Sequence, residues 1–194
     1  MKPLFTSVRD FFMVLLMTFA MLRRSEVVAL LRDDVWLDNV NGRVVLFVLV
    51  QKSKVDQLRV GHTIMLGANA KDPDLCVATW FRLYLGLRHE SKFFFHSAFK
   101  GHPGLSRSTP NRTLKRMLAT IKVDAALFGS HSCRRGGATA AMAGGVAAHV
   151  VMRHGNWLSN AFYKYVVDPL EVSLSVGVAI AASTLVDMGS VLVS

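Results

Sequence analysis

In the segment HSCRRGGATAAMAGG, His131 and Arg134 stand three residues apart. On a helix that spacing puts an imidazole and a guanidinium on one face, near the N-terminus. Unpaired backbone N–H groups and the helix dipole favour an anion there, so the pair suits a phosphate or an oxyanion. A solvated histidine at a basic helix start is the plain alternative. Gly136 and Gly137 follow inside the same helix. Each costs roughly 1 kcal/mol against alanine, so something must offset them, such as close approach of another backbone. A second arginine, Arg23, ends an apolar run and precedes Glu26 by three. The carboxylate can orient it by a charge-assisted hydrogen bond; otherwise the side chain snorkels. Lys52 and Lys54 fall in a polar loop between two strand-like runs, where a lysine is ordinarily just solvated. Further on, RHGNWLSNAFYKYVV gathers His154, Trp157, Tyr163 and Tyr165. Either a tyrosine there does chemistry, or the stretch is the outer turn of an ordinary helix.

The elements that must position these groups can be read from pattern. The chain has 194 residues, 52% of them apolar, enough for one domain with a real core. Residues 6–32 read as helical, with Ser25 able to cap a turn through EVVALL. An Asn41-Gly42 turn leads into the β-branched run Val44–Val50, and a second strand-like run covers Leu58–Leu66. Together they predict a small antiparallel sheet. PDLCVATWFRLYLGLR has helical spacing of Leu75, Trp80, Leu83 and Leu87. Ser108 or Thr109 can cap the next helix, with Pro110 in its first turn and Leu114, Met117, Leu118 and Ile121 on its apolar side. HSCRRGGATAAMAGG closes at Gly144-Gly145, and VAAHVVMRHGNW forms another short helix. The fold class expected is mainly α with a small antiparallel β-sheet (α+β).

Composition narrows the partners. Twenty-three basic residues against 13 acidic give a formal charge of +10. That suits a polyanion, either nucleic acid or an anionic membrane surface. Cys76 and Cys133 have no Cys or His partners at metal-ligand spacing, so the reading has no metal site, no disulfide framework and a reducing compartment; Cys133 reads as helix filling. The apolar run FFMVLLMTFAML is too short for a bilayer, which takes roughly 20 residues, and reads as a buried core helix. The apolar tail after Pro169 reads as a helix seeking a groove.

Taken in order, Arg, Lys, His-x-x-Arg, Trp and Tyr resemble the catalytic domain of the tyrosine recombinases, the phage-integrase-like enzymes that recombine DNA at specific sites. MLRRSE is similar to the family's Gly-Leu-Arg-x-Ser-Glu, with Met21 in place of the glycine and Arg23 and Glu26 on the family's arginine and acidic neighbour. Lys54 matches the hairpin lysine, with Lys52 as runner-up, and HSCR matches His-x-x-Arg. Arg135 stands where many members have histidine. HSCRRGGATAA and GNWLSNAFYKYV look more like the recombinases of eukaryotic mobile elements, DIRS-like retroelements and Cryptons, than bacterial resolvases.

The resemblance implies strand cleavage and rejoining through a 3′-phosphotyrosyl intermediate, with no metal or nucleotide cofactor. Arg23 and Arg134 would bind the nonbridging oxygens, Lys54 would protonate the leaving 5′-oxygen, and His131 would accept a proton or donate to phosphate. Trp157 would pack against the site and donate its indole N–H, and Glu26 would hold the cluster in place. Spacing favours Tyr163 as nucleophile, nine after His154. The surrounding letters favour Tyr165, eight after Trp157, and Tyr165 is preferred; Tyr163 then becomes a packing residue. Lys52, Arg112, Lys115, Arg116 and Arg135, with Arg107, would track the DNA backbone. Residues 1–170 would form the catalytic domain, with the N-terminal core-binding domain of the family absent. Residues 171–194 would form a tail exchanged between protomers of a homotetramer on double-stranded DNA. The resemblance implies no small-molecule substrate and no membrane, and an intracellular site with DNA, nuclear in a eukaryote. A type IB topoisomerase, a decayed recombinase that only binds DNA, and a membrane-surface protein are the rival readings.

Overall fold

The computed structural model describes residues 2–51, 61–157, 159, 162, 163, 175 and 178. Helix α1 (Lys2–Phe19) runs through the middle of the core and packs on α3 (Val77–Leu87), α4 (Thr109–Thr120) and α5 (Ser130–Ala143). Phe5, Val8, Phe12, Met13, Leu16 and Met17 are buried, so both sides of the apolar run meet protein. The Phe12 ring lies 5.7–6.4 Å from those of Phe81, Tyr84, Phe94 and Phe95. No described helix is long and apolar enough to cross a membrane.

The stretch 6–32, expected to be helical, holds two helices. After Phe19 the chain turns at Met21, whose φ is +50°. The Leu22 N–H reaches back to the Met17 carbonyl at 3.1 Å, closing the helix end that normally carries glycine at the left-handed position. Helix α2 (Arg24–Ala29) then starts from Arg23. Ser25 lies inside α2 and does not cap it; Glu26 does so, accepting the Arg23 N–H at 2.7 Å.

Three strands form an antiparallel sheet in the order β1 (Val35–Val40), β2 (Arg43–Val50), β3 (His62–Gly67). Asn41 and Gly42 both have positive φ, +52° and +77°, as a two-residue hairpin turn requires. Val40 pairs with Arg43, and Val50 pairs with His62. Val35, Leu46, Val48, Val50, Ile64 and Leu66 face the core. Outside, the Trp36 and Phe47 rings stack at 5.2 Å.

The apolar stripe expected on α3 is corrected. Leu75 and Leu83 are exposed, whereas Val77, Ala78, Phe81 and Tyr84 are buried. Leu75 precedes the helix in a 3₁₀ turn capped by Asp72. Tyr84 is the fully buried anchor, donating to the Phe94 carbonyl at 2.8 Å. Ile121 lies beyond α4 and is exposed. Helix α5 closes at Gly144, with Gly145 at φ +83°, and α6 (Ala148–His154) follows. A second, smaller core joins Met21, Ala138, Val151, Trp157 and Phe162.

Candidate active site

Arg134 is the centre of the site. Its position one turn into α5 turns it inward, and only 4% of its surface is exposed. Nη1 donates to the Met21 carbonyl and Nη2 to the Gly155 carbonyl. Its guanidinium lies over the Trp157 ring, 3.7 Å from the centroid. A desolvated cation on an indole face gains about 2 kcal/mol.

The two carbonyls share an origin. Met21 is the left-handed residue closing α1. The Trp157 N–H bonds the Met152 carbonyl at 2.9 Å and Asn156 has φ +53°, the same closure at the end of α6. Arg134 therefore sits where two helix C-termini meet. Helix dipoles put partial negative charge there, which favours a cation. Gly155 is required by the ring, because a Cβ would stand 1.8 Å from Trp157.

Helix α5 can approach so closely because Gly137 has no side chain. A Cβ there would stand 2.1 Å from the Thr18 carbonyl oxygen. That is the close backbone approach the sequence calls for. Gly136 meets nothing within 4 Å and has no such role. Cys133 fills the same interface, and burial pushes its thiol up from the ordinary value. The start of α5 is fixed by Asn111, whose Oδ1 accepts the Ser130 N–H at 3.0 Å. Sequence reasoning missed Asn111, since its partner lies 19 positions away.

Arg23 is gripped by Glu26. Its Nη1 donates to Glu26 Oε1 at 2.6 Å, and the two side chains are 21% and 6% exposed. Glu26 thus grips both the backbone and the guanidinium of Arg23. Glu26 and Arg134 line one small cavity with Met21, His62 and Gly155. His131 is exposed on the first turn of α5 and does not follow Arg134 inward.

Of the basic residues expected on DNA, Arg112, Lys115, Arg116 and Arg135 are exposed. Arg116 also pairs with Asp10 through Nη2, while its side chain stays 58% exposed. Lys52, Lys54 and Tyr165 lie outside the described residues, as does nearly all of the tail. Tyr163 is 60% exposed and so is not the packing residue expected; the neighbouring Phe162 is, at 0%. Among the described residues no cluster of His, Cys, Asp or Glu could hold a metal ion.

The architecture, mostly helical with a small three-stranded antiparallel sheet, is that of a tyrosine recombinase catalytic domain. The chain belongs to the phage integrase family, whose pattern matches residues 3–165. Among solved structures it is similar to the XerH site-specific recombinase bound to its difH substrate, in a pre-cleavage complex. That match has 16% identity and a TM-score of 0.66, covering 89% of this chain and 47% of the other. XerA recombinase matches at 17% identity and TM-score 0.57, covering 82% and 53%. The Tn1549 transposon integrase in complex with circular intermediate DNA matches at 13% identity and TM-score 0.56, covering 88% and 57%. The chain spans about half the length of these structures. No curated protein matches it significantly.

Proposed function

We propose that residues 1–170 form a catalytic domain that cuts and rejoins DNA through a tyrosyl phosphodiester, in the recombination or integration of a mobile element of the DIRS-like or Crypton kind. The Tyr165 oxygen attacks the scissile phosphorus and the 5′-oxygen leaves. Lys54 supplies that oxygen with its proton, and the phosphodiester energy is kept in the protein–DNA link. Arg23 and Arg134 neutralise the nonbridging oxygens, where fork geometry serves better than a point charge. His131 takes the phenol proton or donates to phosphate. Arg112, Lys115, Arg135 and Lys52 follow the DNA backbone, joined by Arg116 when it leaves Asp10; binding then weakens steeply with salt. The tail, 171–194, joins protomers in a tetramer inside the cell.

The observation that carries this reading is Arg134, a buried guanidinium at two helix C-termini, seated on Trp157 and lining one small cavity with Glu26, the partner of Arg23. The test is capture of SDS-resistant adducts from a pool of nicked duplexes with a randomised centre. An adduct that persists in Tyr163→Phe and vanishes in Tyr165→Phe is expected. Dependence on Tyr163 overturns the nucleophile assignment. No adduct from the unaltered chain leaves a DNA-binding protein that does not cut. Site-independent plasmid relaxation makes it a topoisomerase.

A further inference from the structure

The two carbonyls that hold Arg134 stand on helix ends that are themselves tied together. The His154 imidazole Nε2 lies 2.8 Å from the carbonyl of Phe19, the last residue of α1. His154 is the last residue of α6, and its own carbonyl lies 3.2 Å from His62 Nε2 on β3. Both acceptors are carbonyl oxygens, so each imidazole carries its proton on Nε2. The last carbonyls of a helix have no partner within it. Here two histidines supply the missing donors, one for each helix. Phe19 lies two residues before Met21, and His154 one before Gly155. The same short segments thus present one carbonyl to a histidine and another, one or two residues on, to Arg134.

We infer that His154 and His62 are positioning residues for Arg134, fixing the two helix ends whose carbonyls aim its guanidinium. Their importance for strand cleavage rests on the proposed function; their effect on Arg134 does not. His62 opens β3, directly after the connection that carries Lys52 and Lys54. The link therefore also joins the lysine-bearing connection to the arginine cradle.

The test uses the full chain with ¹⁵N-labelled arginine and no DNA. The guanidinium of Arg134 is recognised by the upfield shift that the Trp157 ring imposes. Held by two carbonyls, its two Nη groups give separate signals at low temperature. In His154→Ala they merge; in His154→Gln, whose amide N–H can take the Nε2 position, they stay separate. Separate signals in the Ala variant, or merged signals in the Gln variant, overturn the inference. If His154→Ala does not fold, His62→Ala and His62→Gln decide by the same criteria. In the adduct assay, the Ala variants form the tyrosyl link about 10- to 100-fold more slowly, as expected for a group misplaced by about 1 Å, with duplex affinity held. An unaltered chain that forms no adduct sinks the proposed function, and the NMR arm still decides the role of the histidines.

Discussion

Two buried arginines sit in the two cores of this protein, and different groups hold them. Arg9, in the main core, donates Nε to Asp10 Oδ1 at 2.9 Å and Nη2 to the same oxygen at 2.6 Å. Its Nη1 bonds the His96 carbonyl at 3.0 Å, and Arg116 binds the other Asp10 oxygen. That arginine is paired with a carboxylate, and the same carboxylate ties α1 to α4 through Arg116. Arg134, in the smaller core, rests on two carbonyls and an indole face. The backbone around it includes two left-handed residues, Met21 and Asn156, both at positive φ. Arg9 is bonded to a carboxylate on its own helix, and Arg134 to two backbone carbonyls at helix ends.

The largest effect is expected at Asp10. Asp10→Ala leaves Arg9 buried without its carboxylate, so a loss of about 3–5 kcal/mol is expected, read from denaturant unfolding. A loss below about 1 kcal/mol would mean that Arg9 is not paired in the way described. Next is the contact between the cores. Gly137→Ala drives a methyl into the Thr18 carbonyl and should cost about 1–3 kcal/mol. Gly136→Ala, with open space around it, should gain up to about 1 kcal/mol from helix propensity. Equal effects at the two sites would refute the close approach of α5 to α1.

Met21 sharpens the contrast further. Replacing it by Ala or Gly removes the same buried side chain. Gly should nevertheless be the more stable of the two by about 1–2 kcal/mol, because only Ala keeps the left-handed penalty. The smallest effect concerns pH in the main core. His96 is fully buried, with no hydrogen-bond partner for Nε2 among the described residues, against Phe5, His89, His102 and Arg88. Burial first, and then the neighbouring charges, hold its folded value below the ordinary one, while its backbone bond to Ser97 opposes them. A depressed value means that the stabilisation is present above the unfolded value and lost as pH falls through the folded one. The melting temperature should therefore drop between about pH 7 and about pH 5. The drop should be smaller in His96→Phe, measured by thermal unfolding in matched buffers.

Local signals made much of this legible in the sequence. Asn41-Gly42 specifies its turn through φ alone, and Gly144-Gly145 closes α5 in the same way. The inward pull on Gly137 was legible as a propensity cost needing compensation, though its partner, the Thr18 carbonyl, was not. The split between α1 and α2 was hidden because methionine occupies a position whose φ asks for glycine. On α3 the spacing of leucines competed with that of Val77, Phe81 and Tyr84, and the larger rings took the core. Arg116 read as a free cation, since Asp10 lies 106 positions away and nothing local links them. The histidines that cap α1 and α6 likewise act across 135 and 92 positions.

The role proposed for Arg134 is to offer a forked cation to the scissile phosphate. Its most direct test is the rate of tyrosyl adduct formation at saturating DNA in Arg134→Lys, below the variant's melting temperature. Lysine keeps the charge and loses the fork. A fall of about 100-fold or more, with duplex affinity little changed, is the expected result. Cleavage at the unaltered rate would show that this arginine serves the fold alone, as Arg9 does.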